Sequence, residues 1–293
     1  MKNQLVRFDW ALKKLLRNKA NFEILEGFLS ELLKQDVKIE KILESESNRE
    51  TRDDKHNRVD LLTEINSREL VLIELQVEGQ FDYFHRMLYG SSKLITDYMV
   101  AGFTYKEVKK VISVNIVYFD LGHGEDYVYK GITEFTGIHK HDRLQLSDFQ
   151  KSKLTDLDQV SSIFPEYYIL KVNGFNDYAK DTLDEWIYFL KNSEIKDTFK
   201  AKGIHRASEE LDILKLSKEE RQDYERYLDD WRVGESSIHT SWMNGHDKGR
   251  EQGREEGREE ERREAARKMK QLGVAVEVIM QVSGLPREVL DAE

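Results

Sequence analysis

The sequence predicts an α/β protein: a mixed central sheet flanked by helices, then a helical C-terminal region and a charged helical tail. Three observations carry that reading. Apolar runs at 38–43, 58–65 and 70–77 are short and largely alternate, as strands do. Stretches on either side of them place apolar residues at i, i+3 and i+4, the spacing of a helix with one buried face. After about Gly234 the composition shifts to charged sequence punctuated by glycine.

Taken in order, Leu25, Phe28, Leu29, Leu32 and Leu33 form the apolar stripe of a first long helix, and a shorter piece with Leu12, Leu15 and Leu16 precedes it. Lys38 to Leu43 reads as a short strand. Arg58 to Ile65 follows, with Val59, Leu61, Thr63 and Ile65 on one face, and then Leu70 to Val77, with Asn66-Ser67-Arg68 as the hairpin loop between them. Phe81 to Val100 is predicted helical, with Phe84, Met87, Leu88, Leu94 and Ile95 toward the core. The run VISVNIVYF, from Val111, reads as a central strand covered on both faces. Short strands are expected near Tyr127–Glu134, Arg143–Leu146 and Tyr167–Val172. Helices are expected around Leu183, Trp186, Ile187 and Leu190, and again around Leu211, Leu214 and Leu216.

Composition narrows the function classes. The chain has 293 residues, 46 Lys and Arg against 56 Asp and Glu, and no cysteine. Disulfides and thiolate metal sites are thereby excluded. No apolar run approaches the roughly 20 residues of a membrane helix, and the N-terminal stretch has no small-residue cleavage site of a secretory signal. A soluble cytoplasmic protein is the expectation. A net charge of −10 argues against a nonspecific nucleic-acid coat, since phosphate binding draws on Lys and Arg, but leaves room for an enzyme with acidic ligands and a local basic rim.

The stretch LVLIELQVE, Leu70 to Glu78, carries the chemistry. Residues two apart in a strand share a face, so Glu74 and Gln76 stand side by side. With a three-residue loop, Ile65 pairs with Glu69 and Asp60 lies across from Glu74, with Cβ atoms about 5 Å apart. A loop of two or four residues would shift the register and split the cluster. Two carboxylates so close repel, and call for a proton, a basic group or a cation. Oxygen ligands without cysteine suit Mg²⁺ or Mn²⁺, which would polarise a phosphoryl oxygen for phosphodiester hydrolysis. A half-exposed strand is the competing reading, and Glu64 and Glu78 on the same face fit it as solvated charges.

At these residues the chain resembles the PD-(D/E)xK nuclease superfamily, and more closely its Rpn branch, the recombination-promoting nucleases also described as PD-(D/E)xK family transposases. The stretches that carry the resemblance are FDWALKKLL, DDKHNRVDLLTEI, LVLIELQVEGQFDYFHRMLYGSSKL, VISVNIVYF and the GREEGREE tail. The resemblance implies a restriction-endonuclease-like core with a four-stranded mixed sheet and metal-dependent cleavage of DNA. It makes Asp60 and Glu74 the ligands of a divalent metal, adds the backbone carbonyl of Leu75 as a third, and puts Gln76 where the signature lysine stands. An amide there carries no charge and cannot act as a titrating base, but can orient a water or donate to a phosphate oxygen. Val59 stands in place of the signature proline.

Other residues carry two readings each. Arg86 and Tyr89, three apart on the helix after Glu74, could meet phosphate or pack helix to sheet. Lys55, His56 and Arg58 supply either a basic rim or a solvated loop. Glu23, Glu26 and Glu31 are surface residues or an added metal ligand, and His139 and His141 read as loop residues. In the tail, Gly245, Gly249, Gly253 and Gly257 recur every fourth residue. A helix there, with Glu251–Arg254, Glu255–Arg258 and Glu259–Arg262 pairs, would offer a row for close approach of a partner and make the protein a dimer; a flexible linker is the alternative. The end, VEVIMQVSGLPREVL, has helix–turn–helix spacing with Ser283-Gly284-Leu285 as the turn.

The expected organisation is a nuclease core over 1–175, a helical extension packed on it over 176–233, and the tail over 234–293. The expected function is Mg²⁺- or Mn²⁺-dependent endonucleolytic cleavage of DNA, associated with recombination or transposition. The alternative is a catalytically silent relative that binds DNA or protein through its tail.

Overall fold

The computed structural model describes residues 6, 7, 10, 22–43, 58–66, 69–77, 79–98, 104–154, 159–212 and 215–292. For 58–60, 231, 235, 238, 239, 291 and 292 it describes the backbone alone. The chain forms two compact units, 1–231 and 232–293.

The first unit is built on a six-stranded mixed sheet in the order β1-β2-β3-β4-β6-β5. Strands β1 (Ile39–Leu43), β2 (Arg58–Ile65) and β3 (Glu69–Gln76) are antiparallel neighbours. Strand β4 (Lys110–Val117) runs parallel to β3, and β6 (Glu166–Lys171) parallel to β4, while β5 (Val128–Gly131) closes the edge antiparallel to β6. The four strands that the family resemblance implies are thus extended to six. The predicted strand at 143–146 is reduced to one bridge between Thr136 and Arg143.

The β2–β3 turn sets the register. Asn66 has φ 49°, a left-handed conformation that asparagine tolerates better than most residues. Its backbone N–H donates to Lys38 O at 3.2 Å, and its Oδ1 accepts from Lys38 N at 3.2 Å, which ties the turn to the residue before β1. Ile65 pairs with Glu69 and Asp60 with Glu74, the register of a three-residue loop.

The main core lies on one face of the sheet. Val71, Ile73 and Leu75 of β3 and Ile112, Val114 and Ile116 of β4 pack there with α1 (Glu23–Leu33), α4 (Thr182–Asn192) and α5 (Ile204–Glu210). Gly27 of α1 is needed where the chain before α5 crosses it, because a Cβ would stand 2.2 Å from Lys202 O. A short α3 (Asp148–Lys153) lies outside this core. The predicted helical region around Leu211 and Leu216 contributes both residues to the core. The predicted piece at 9–16 lies outside the described residues apart from Trp10.

Helix α2 (Tyr83–Asp97) covers the opposite face and provides the crossover that a parallel β3–β4 pair requires. Its buried residues are Tyr83, Met87 and Ser91. Phe84 and Leu88, expected in the core, are 54% and 59% exposed. The buried stripe falls one position earlier, where Tyr83 and Met87 pack on Val117 of β4 with Phe119, Leu121, Tyr167 and Ile169 around them. Toward its end Leu94, Ile95 and Tyr98 pack on Leu62, Leu70, Leu72 and Val111.

Helix α6 (Lys218–Gln271) is 54 residues long, starts in the first unit and ends in the second. In the second unit its last turns pack with α7 (Val276–Ser283) and α8 (Arg287–Ala292) around Ala266, Ile279, Leu285 and Leu290. The turn between α7 and α8 falls where the sequence predicts it, with Gly284 at φ 68°. In the charged stretch Glu259 pairs with Arg263 at 2.6 Å rather than with Arg262, and Glu264 with Lys268 at 2.7 Å, both at i, i+4. Among the described residues no helix is long and apolar enough to cross a membrane.

Candidate active site

Three neighbouring strands place polar residues in one row beneath α2. Glu74 sits at the centre, with Asp60 across from it on β2 and Asn115 across from it on β4. Gln76 is two residues on from Glu74, on the same face. All three described side chains are buried: Glu74 is 3% exposed, Gln76 4% and Asn115 0%. Of Asp60 the structure gives the backbone, and its register position is the one that shares a face with Glu74. The alternating pattern of β3 produces this arrangement. Val71, Ile73 and Leu75 take the apolar core, so Leu70, Leu72, Glu74 and Gln76 must face α2.

Helix α2 is seated on the row by Arg86 and by further side chains that the sequence pattern does not single out. Tyr83 is fully buried and its hydroxyl donates to Asn115 Oδ1 at 3.3 Å. Asn115 Nδ2 donates to Ser113 Oγ at 2.9 Å and to the carbonyls of Ser113 and Tyr168, each at 3.2 Å. One turn along, Arg86 Nη1 donates to Gln76 Oε1 at 3.3 Å and to Gln80 Oε1 at 2.9 Å. Its guanidinium also lies over the Tyr83 ring, 5.9 Å from the centroid. A further turn along, Gly90 leaves space above Glu74. A Cβ there would meet Leu72 Cδ2 at 3.5 Å and Glu74 Oε1 at 4.0 Å, so a longer side chain would lie on the carboxylate.

Below the row, the same face holds charges of a different kind. Glu64, which fits a solvated strand residue by sequence, is 5% exposed. Lys41 reaches it at 2.9 Å and Lys109 also pairs with it, and the Lys109 bond foremost holds its carboxyl below the usual carboxylate range. On the opposite face, where Glu166 of β6 pairs with Ile112, burial raises the Glu166 carboxyl, but bonds from Lys110, Lys130 and Tyr168 outweigh it and bring it down to about 2. These pairs fasten the start of β4 to its neighbours.

A family model for PD-(D/E)XK nuclease family transposases matches residues 6–240. The chain belongs to that family. No curated protein and no solved structure matches it. Nucleases of this family act on DNA and generally use divalent metal ions. The mixed sheet flanked by helices is the restriction-endonuclease-like fold of PD-(D/E)XK nucleases. The matched range includes Asp60, Glu74 and Gln76.

Of the other residues singled out, Arg86 reaches the row and Tyr89 does not: Tyr89 is 69% exposed. The side chain of Leu75 packs in the opposite core, so only its backbone carbonyl could act as a ligand. Lys55 and His56 lie outside the described residues, as does Glu78, and Arg58 is described by its backbone. Glu26 and Glu31 are structural, on the far side of the sheet. Glu26 accepts from Ile39 N at 2.8 Å; Glu31 accepts from Thr182 Oγ1 at 2.5 Å and Lys202 N at 3.0 Å. Glu23 faces Arg206 at 3.7 Å. His139 and His141 are exposed in a turn, His141 at φ 56°. Among the described residues no three His, Asp or Glu gather to hold a metal, a set that lacks the Asp60 side chain.

The donors present fit a hard divalent cation. Glu74 offers a buried carboxylate, the opposed position holds a second, and all the polar atoms in the row are oxygen or amide nitrogen. Gly90 keeps α2 from placing a side chain against Glu74 Oε1, which an added Cβ would meet at 4.0 Å.

Proposed function

We propose that this protein is a Mg²⁺- or Mn²⁺-dependent DNA endonuclease, with Asp60 and Glu74 as the metal-holding carboxylates and the Leu75 carbonyl beside them. The observation that carries the reading is the burial of Glu74 opposite Asp60 in a row of polar residues, where a purely structural sheet would hold aliphatic ones. A buried carboxylate is costly unless it serves a bound charge or partner. A cation held there would supply Lewis-acid polarisation of the scissile phosphodiester. Glu74 and Asp60 would fix its place, and Gln76 would donate a hydrogen bond to a phosphate oxygen or orient the attacking water. Cuts in a duplex are the chemistry that recombination or transposition would draw on.

A plasmid-nicking assay tests this with Mg²⁺, Mn²⁺ and EDTA. Nicking should require the metal, and Asp60→Asn and Glu74→Gln should each slow it by at least about 10³-fold, the scale of several kcal/mol of lost charge stabilisation. Full activity in either purified variant would place the metal site elsewhere.

We also propose that the tail joins two copies of the chain. A Cβ at Gly245, Gly249, Gly253 or Gly257 meets nothing within 4 Å, so the row lies open on the side of α6. Each glycine costs a lone helix about 1 kcal/mol against alanine, a loss that a close-packed partner would offset. Two copies would bring two sites to one duplex. Light scattering should give a dimer for the full chain and a monomer after deletion of 245–293; equal masses per chain would remove the tail from assembly.

A further inference from the structure

We propose that Gln76 and Arg86 together perform the task of a single lysine, with Arg86 supplying the charge and Gln76 delivering it. This rests on the nuclease reading above. The family signature has lysine where this chain has Gln76, so the strand itself brings no cation to the row. Among the described side chains Arg86 of α2 brings one, donating to Gln76 Oε1 at 3.3 Å, while Arg58, opposite Gln76 on β2, is described by its backbone alone. A guanidinium has donors only, so the end of the amide that faces it must be the carbonyl. The Nε2 end, with its two N–H groups, is thereby turned away from Arg86. An amide that accepts from a cation at its oxygen becomes a stronger donor at its nitrogen, because hydrogen bonds in series polarise one another.

Arg86 has no ready means of meeting a phosphate itself. Its Nη1 is committed to Gln76 and to Gln80. Its Nε and Nη2 are shut off from solvent and make no hydrogen bond to a described residue. None of its nitrogens is both open and uncommitted, so its charge acts through Gln76. Gln80 and the Tyr83 ring hold the guanidinium in place from α2 and its approach. Arg86 is therefore a positioning residue, and Gln76 is the group that touches substrate.

The test is a cycle of four proteins: wild type, Arg86→Met, Gln76→Lys and the double variant. Two readouts are taken, thermal melting in EDTA without DNA, and metal-dependent nicking. Gln76→Lys alone sets two cations against each other, so its melting temperature should fall, and adding Arg86→Met should restore it. In nicking, Arg86→Met should lower kcat on the order of 10²-fold, the loss typical of one electrostatic donor. With Lys at 76 the same change should raise activity instead. An equal loss from Arg86→Met in both backgrounds would overturn the proposal, as would a melting temperature of Gln76→Lys that Arg86→Met does not recover. If wild type fails to cleave DNA, the nuclease reading falls, while the melts still decide whether 76 and 86 are coupled. Should Gln76→Lys not fold, Gln76→Glu replaces it. That variant keeps an acceptor for Arg86 and removes the N–H, so it should fold and cleave poorly; wild-type cleavage would overturn the donor role.

Discussion

The two faces of β3 are buried almost equally and do opposite things. Val71, Ile73 and Leu75 are 0–1% exposed on one face, and Leu70, Leu72, Glu74 and Gln76 are 0–6% exposed on the other. Burial therefore does not distinguish them; the covering helix does. The first face meets apolar side chains of α1 and α4. The second meets α2, whose last turns bring Leu94 and Ile95 and whose first turns bring Tyr83, Arg86 and Gly90. One strand is thus a core strand throughout on one side, and on the other changes midway from core to site. A buried polar row lowers stability relative to aliphatic packing, and such departures from good packing are expected where function needs them.

Adjacent residues should separate the two faces most sharply. Leu75→Ala should destabilise the protein by about 2–5 kcal/mol through the cavity it leaves, with chemistry per folded molecule retained. Glu74→Gln, one residue earlier, should remove metal-dependent nicking and leave the melt near that of wild type. Denaturation alongside nicking at matched folded fraction checks both. A Glu74→Gln protein that loses stability and keeps activity would make the second face a core like the first.

The next contrast concerns the cover rather than the sheet. Gly90→Ala places its Cβ at ordinary contact distances from Leu72 and Glu74 and improves helix propensity, so it should be neutral or stabilising by up to about 1 kcal/mol. Gly90→Leu projects onto the Glu74 carboxylate and should cut activity by about 10²-fold, the scale seen when a reacting group is displaced by about 1 Å. Equal nicking rates for the two variants would show that the space over Glu74 is not used.

Much of this was legible in the sequence, for identifiable reasons. Strand β2 and the β2–β3 register follow from period-two alternation and a short polar turn, both local signals. The opposition of Asp60 and Glu74 follows from that register alone. The partners of Glu74 and Gln76 on β4 and α2 did not, because Asn115, Tyr83 and Gly90 reach the row through a parallel pairing and a helix crossing, which leave no trace in spacing. Two positions of α2 differ from the sequence pattern for the same reason, while Met87, Leu94 and Ile95 face the sheet as expected. Phe84 and Leu88 look like core residues, yet the face beneath them selects Tyr83 and Met87. Glu64 reads as solvated until Lys41 and Lys109 are brought over it from distant positions in the chain.

Acid should reveal the structural carboxylates and so set them apart from those of the site. Glu166 has its carboxyl lowered to about 2, and Glu64 is lowered as well. A carboxyl whose folded value is depressed contributes stability that is complete above its unfolded value, near 4.3, and is lost as pH falls toward the folded value. Stability should therefore decline from about pH 4.5 downward and continue to fall to about pH 2. Glu166→Gln should start from a lower stability at pH 7, since Lys110 and Lys130 lose their partner, and should decline less steeply through that window. Urea unfolding at a series of pH values from 7 to 2 measures both slopes. Parallel curves for wild type and Glu166→Gln would mean that the lysine pairs on β6 do not couple protonation to folding, and the acid response would have to come from other carboxylates.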